Sequence, residues 1–212
     1  MSKKPKVTPK PVRDRGGRER ALVEAAKEVL AEGGFQGFGV NAVARRAGCD
    51  KQLIYRYFGG VEGLVGAIGA ELAERLRDHL APLAAMGRPK TYTELVQRMA
   101  LGLMQALRED LLLRRIAAWE VSDSSALVTS LTAARSRGMA LWVGETRGEL
   151  VPPVGVDAPA VNALILAAVQ HLVLAAATAG EFAGLALRDE AGWERVRSAV
   201  KALVNSVYDA RP

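Results

Sequence analysis

Four polar side chains fall within six residues of the segment DKQLIYRYF: Lys51, Gln52, Tyr55 and Arg56. A glutamine amide pairs bidentately with adenine and a lysine ammonium donates to guanine acceptors, each good bidentate contact contributing roughly 1–3 kcal/mol of base discrimination. Tyr55 and Arg56, one helical turn on, suit phosphate oxygens, which fix register without reading bases. The chemistry is that of a short surface presented to duplex DNA.

Such side chains need a rigid mount. Val40, Val43, Ala44 and Ala47 recur at helical spacing, so the sequence predicts a helix from about Val40 to Arg46 with that stripe inward. Gly48 breaks it, since glycine accepts the left-handed backbone of a sharp exit, and Asp50 can cap the next helix. That second helix starts near Lys51, with Leu53, Ile54, Tyr57 and Phe58 as its apolar bulk. About eight residues are too few for a helix to hold in water, so packing on neighbours must fix it and turn Lys51 and Gln52 outward. Helix, tight turn and short second helix have the spacing of a helix-turn-helix.

This stretch resembles the tetracycline-repressor (TetR) family of bacterial transcription regulators. The resemblance rests on Phe35, Val43-Ala44, Ala47-Gly48, Ile54-Tyr55, Tyr57-Phe58, Glu62 and Leu64, with an amphipathic helix over Arg18 to Glu32 completing a three-helix domain. It implies DNA contacts at Asn41, Lys51, Gln52, Leu53, Tyr55, Arg56 and Tyr57. The chain departs from the family pattern at three places. Phe38-Gly39 stands where Thr or Ser commonly caps, Gln52 and Leu53 replace small residues, and Val61 takes the place of a frequent lysine. The substitutions at 52 and 53 imply an operator preference of its own.

Charge points the same way without any family. Residues 1 to 65 hold 13 Lys and Arg against 7 Asp and Glu, whereas residues 66 to 212 hold 16 against 16. The whole excess of +6 lies in the proposed DNA-binding third, as expected where phosphate neutralisation dominates affinity. A solvated face plus a basic tail would give the same count. Residues 1–17, with three prolines, two glycines and basic side chains, read as a disordered basic arm that either enters a minor groove or serves solubility. No continuous apolar segment follows its lysines, which argues against a secretory signal and for the cytoplasm.

Cys49 is the single cysteine and lies in the turn, as a small apolar filler or a redox-sensitive thiol. With only His79 and His171 beside it, the sequence predicts no metal site and no cofactor. It offers no nucleophile-base-orienter set and no glycine-rich phosphate loop, so an enzyme is not expected.

The remainder reads as helices, and the expected fold class is all-α. The domains are an arm over 1–17, a DNA-binding domain over 18–65 and a larger effector-binding and dimerisation domain over 66–212. Helices are expected over Leu64 to Leu80, Tyr92 to Arg108, Asp110 to Val121 and from a Ser124 or Ser125 cap to Thr146. Pro82 to Lys90 is read as a loop. Asp157 and Pro159 open a helix that Gly180 closes, and Asp189 opens a last one ending near Tyr208. No strand or hairpin signal competes. Gly63, Gly66 and Gly69 cost about 1 kcal/mol each in helix propensity, which either close helix packing or a compliant linker must offset.

Ala163 to Ala179 is apolar nearly all round, yet Gln170 and His171 at its centre argue against a membrane span. The last helix carries Trp193, Val196, Val200, Leu203, Val204 and Val207 as one stripe. Two copies of this hairpin, near 158–180 and 189–208, could close a four-helix bundle about a two-fold axis. Such a homodimer implies a near-palindromic operator with reading helices spaced by turns of roughly 34–36 Å. Met99, Met104, Trp119, Met139 and Trp142, with Gln105 and Glu120 as polar orienters, suit either an apolar small-molecule effector or a plain core. Control of DNA binding by that ligand is what the family resemblance implies. The leading expectation is a ligand-released repressor; the alternative is an effector-independent architectural DNA-binding protein.

Overall fold

The computed structural model describes residues 15–209. The chain divides into two compact units between Leu64 and Val65. Of the expected arm, residues 1–14 lie outside the described residues. Arg15, Gly16 and Gly17 are already the first turn of helix α1 (Arg15–Gly33), where an Arg15–Glu19 pair at 3.0 Å links successive turns.

In the first unit, α1 packs against α2 (Val40–Ala47). Leu22, Ala26 and Leu30 of α1 are sealed from solvent, as are Val43 and Ala44 of α2. Phe35 and Phe38 meet edge to face at 6.1 Å in the intervening turn. α2 begins without a side-chain cap, Gly39 being extended there. It ends at Gly48 (φ 61°), where the Cys49 amide turns back to the Ala44 carbonyl at 3.0 Å. The short helix α3 (Gln52–Phe58) comes next, and α4 (Val61–Ala85) runs on into the second unit.

The second unit is built on α5 (Tyr92–Glu109), which contacts α6 (Leu111–Ser122), α8 (Ala158–Thr178) and α9 (Glu190–Tyr208); α7 (Ala126–Arg147) packs on α6. Caps define these helices. Thr91, Asp110, Ser125, Asp157 and Asp189 each accept a first-turn amide hydrogen bond. Asp110 does more, because its carboxylate, 3% exposed, is also gripped by Arg75 and His79 of α4. Burial pushes its pKa up, but Arg75, the Leu113 amide and His79 outweigh that and hold it below the usual carboxylate value.

Three expectations are corrected. Pro82 lies inside α4, which continues to Ala85; proline removes one donor, and the helix carries one further turn past it. The all-α chain contains one short hairpin among the described residues, β1 (Glu181–Phe182) and β2 (Leu185–Ala186), paired antiparallel. Its turn residues Ala183 and Gly184 both have positive φ, 50° and 77°. That is the primed geometry that suits two-residue hairpins, and Ala at its first position hides the usual Asn-Gly signal. The α9 stripe is used within the chain: Trp193, Val196, Val200 and Val204 are buried, and α9 packs on α5. Leu203 is 60% exposed and faces elsewhere.

Candidate functional site

α3 is held by one fully buried side chain, Ile54, flanked by half-buried Leu53, Tyr57 and Phe58. Burying Ile54 contributes about 2 kcal/mol. The helix start is set by Asp50, whose Oδ1 accepts the Gln52 amide at 2.8 Å while its carbonyl accepts that of Leu53 at 3.0 Å. With Ile54 inward, Lys51, Gln52, Tyr55 and Arg56 all lie exposed, as does Asn41 on α2. Leu53 and Tyr57 are half-buried, so they support the face more than they extend it.

Two further cations join this face. Arg15 and Arg18 from the start of α1 line a depression of about 260 Å³ together with Arg56 and Tyr57. The Arg15 guanidinium lies 5.9 Å from the Tyr57 ring centroid. Sequence reasoning missed both, because their proximity to Arg56 depends on how α1 crosses α3. Their charge was the only signal available. Orientation of the pair α1 and α2 is maintained by Arg46, which reaches Glu28 at 3.1 Å and Glu32 at 2.8 Å. Cys49 is half-buried, and burial followed by the charge of Asp50 pushes its thiol pKa up, which disfavours the reactive thiolate.

The first unit matches the family model of bacterial regulatory proteins, tetR family, over residues 22–68. Over those residues the chain carries a TetR-family N-terminal domain. It is 32% identical over 116 residues to the HTH-type transcriptional regulator BetI of Rhizobium meliloti (strain 1021), a match spanning 54% of this chain and 52% of that protein. The chain thus matches about half the length of that curated relative.

Beyond that domain, the fold of solved TetR-family regulators is matched over most of the chain. A TetR-family regulator from Marinobacter aquaeolei VT8 superposes with a TM-score of 0.59 at 23% identity, covering 93% of this chain and 97% of that one. The multidrug binding protein EbrR, solved with imidazole, gives 0.61 at 18% identity over 88% and 94%. At these identities the likeness concerns the fold.

The second unit contains an apolar cavity of about 390 Å³ between α4, α5, α7 and α8. Of the seven residues expected to bind a ligand, Met99 and Met139 line it. Trp142 lines a smaller groove of about 220 Å³ next to it, which Met99 also touches. Met104 is 1% exposed in the core and outside the cavity wall, Gln105 is exposed and bonded to Glu109, and Trp119 is half-buried on α6. Glu120 is outside the wall too, but pairs with Arg135, which lines it. Leu76, Leu95 and Ile165 were the lining residues that periodicity could not separate from core.

Proposed function

We propose that the chain is a dimeric, sequence-specific DNA-binding transcriptional repressor, released from a near-palindromic operator by a small molecule held in the second unit. The observation that carries the reading is the division of α3 into a sealed side at Ile54 and an exposed side of Lys51, Gln52, Tyr55 and Arg56. Arg15 and Arg18 beside Arg56 supply phosphate contacts, and Gln52 with Lys51 supplies base contacts.

Dimerisation is supported by α8. It is long and apolar enough to cross a membrane, yet only 11% of its most apolar window is buried within the chain. Its outward residues Ala163, Leu164, Ala167 and Ala168 lie exposed, as do Ala199, Ala202 and Leu203 of α9. A second copy would cover this face and keep Gln170, which donates to the Ala117 carbonyl at 3.4 Å, inside protein. The apolar cavity supports a small-molecule effector, and the solved likeness EbrR is itself a multidrug binding protein. Ligand and operator must then weaken each other by the same factor.

The test is selection of genomic fragments by the purified protein, followed by titration across salt. A recurrent two-fold motif bound with a steep salt slope is the expected result. Broad binding without a preferred palindrome would instead favour the architectural reading.

A further inference from the structure

The residues of α7 that face the cavity fall four apart: Arg135, Met139, Val143 and Arg147. The two arginines therefore stand about 18 Å apart along the helix axis, at ~1.5 Å per residue. They are not equivalent. Arg135 donates through Nε and Nη2 to Glu120 at 3.0 and 2.8 Å, so its charge is matched. The Arg147 side chain makes no ion pair among the described residues, and it closes α7 exposed at the cavity rim.

A second donor faces the same space. Tyr92, the first residue of α5, accepts a hydrogen bond from Asn162 Nδ2 at 3.0 Å. Asn162 Oδ1 in turn accepts from the Tyr208 hydroxyl at 2.9 Å. With its oxygen already used as an acceptor, the Tyr92 hydroxyl keeps its own proton to donate. Among the described residues no carboxylate lines the cavity and Tyr92 is its one aromatic side chain, so the lining, with two arginines, favours an anion over an organic cation.

We propose that this cavity takes an amphipathic anion: an apolar chain lying along Met139, Val143 and Leu103, with a carboxylate head on Arg147 and Tyr92. This rests on the reading of the cavity as the effector site. The volume of about 390 Å³ admits a chain of about a dozen non-hydrogen atoms, taking ~30 Å³ for each. A medium-chain carboxylate of about ten carbons has that size.

The experiment is calorimetry of the full chain with decanoate, decanol and decyltrimethylammonium, each below its micelle-forming concentration. Wild type is compared with Arg147→Gln and with the cavity-filling Met139→Trp. Decanoate binds about tenfold tighter than decanol to wild type, Arg147→Gln removes that difference while decanol stays within about twofold, and Met139→Trp weakens both. Equal affinity for decanoate and decanol, or tighter binding of the ammonium, overturns the anionic class while leaving an effector cavity in place. Decanoate binding untouched by Met139→Trp overturns the site. Failure of all three probes to bind wild type removes the effector-cavity reading together with this one.

Discussion

Arg46 of α2 donates to Glu32 near the end of α1 at 2.8 Å, across fourteen residues of sequence, and a second guanidinium nitrogen completes the pair. Glu28 shares the same guanidinium at 3.1 Å. The clamp ties the helix that precedes the turn to the helix that braces it. The Arg46 hydrogen bond holds the Glu32 carboxyl below its ordinary pKa. Arg46→Gln should lower the Tm modestly at neutral pH and low salt, and the difference should shrink as salt rises. Thermal melts across salt check this; a deficit indifferent to salt would mean the side chain acts through packing.

Glu190 at the start of α9 is held to about 2 from an ordinary 4.5, first by Arg108 and then by Arg197. Their distances are 2.7 and 2.6 Å, and Arg108 also stacks over Trp193 at 4.5 Å. A depressed acid stabilises the fold above its unfolded pKa and loses that contribution as pH falls through the folded one. Glu190→Gln should therefore reduce the Tm at pH 7, with wild type and variant converging between about pH 4.5 and pH 2. A gap that persists at pH 2 would contradict the electrostatic origin.

Gln52 and Arg56 are both exposed on α3, and the proposed function gives them different tasks. Gln52→Ala should relax the preference at one operator position at a cost of about 1–3 kcal/mol. Arg56→Ala should weaken every sequence alike and reduce the salt slope by about one. Binding to a panel of single-base operator variants separates them. Equal loss on all sequences from both changes would remove base reading from Gln52.

Gly66 and Gly69 predict opposite outcomes on one helix. A Cβ at Gly69 would meet the Leu131 carbonyl and the Ala134 methyl, both at 2.7 Å, whereas a Cβ at Gly66 meets nothing within 4 Å. Gly69→Ala should cost about 1–3 kcal/mol through overpacking of α4 on α7. Gly66→Ala should gain about 0.5–1 kcal/mol. Denaturant titration of the two variants provides the comparison. Close approach thus accounts for Gly69, and for Gly63, where a Cβ would lie 1.8 Å from the Phe58 carbonyl oxygen. It does not account for Gly66.

Leu203, 60% exposed on α9, and Leu164, 71% exposed on α8, test the proposed dimer face. Leu203→Glu should leave helicity intact and shift the protein from dimer to monomer, with operator affinity falling because two reading helices no longer act together. Sedimentation velocity and circular dichroism measure the two effects. A dimer that survives Leu203→Glu and Leu164→Glu together places the interface elsewhere.

Local signals made much of this protein legible from its residues alone. The Gly48 exit and the caps at Asp157 and Asp189 stand where the sequence predicted them, because each is satisfied by amides within a few residues. Inward Ile54 and outward Gln52 came from helical spacing plus the need of a seven-residue helix for support. The hairpin at Ala183-Gly184 and the extra turn beyond Pro82 did not, since each overrides the usual local preference.

Tertiary structure alone decided what each apolar side faces. Periodicity marks a stripe such as Trp193, Val196, Val200 and Val204 but is blind to whether it meets α5 or a second copy. The same blindness kept Met99, on the cavity wall, indistinguishable from Met104, in the core. Charges behave likewise. Arg135 and Arg147 are alike in sequence, and only the approach of Glu120 across fifteen residues leaves one matched and the other without an ion pair among the described residues. Short-range hydrogen bonding writes itself into neighbouring residues, whereas burial and pairing depend on which distant segments the folded chain brings together.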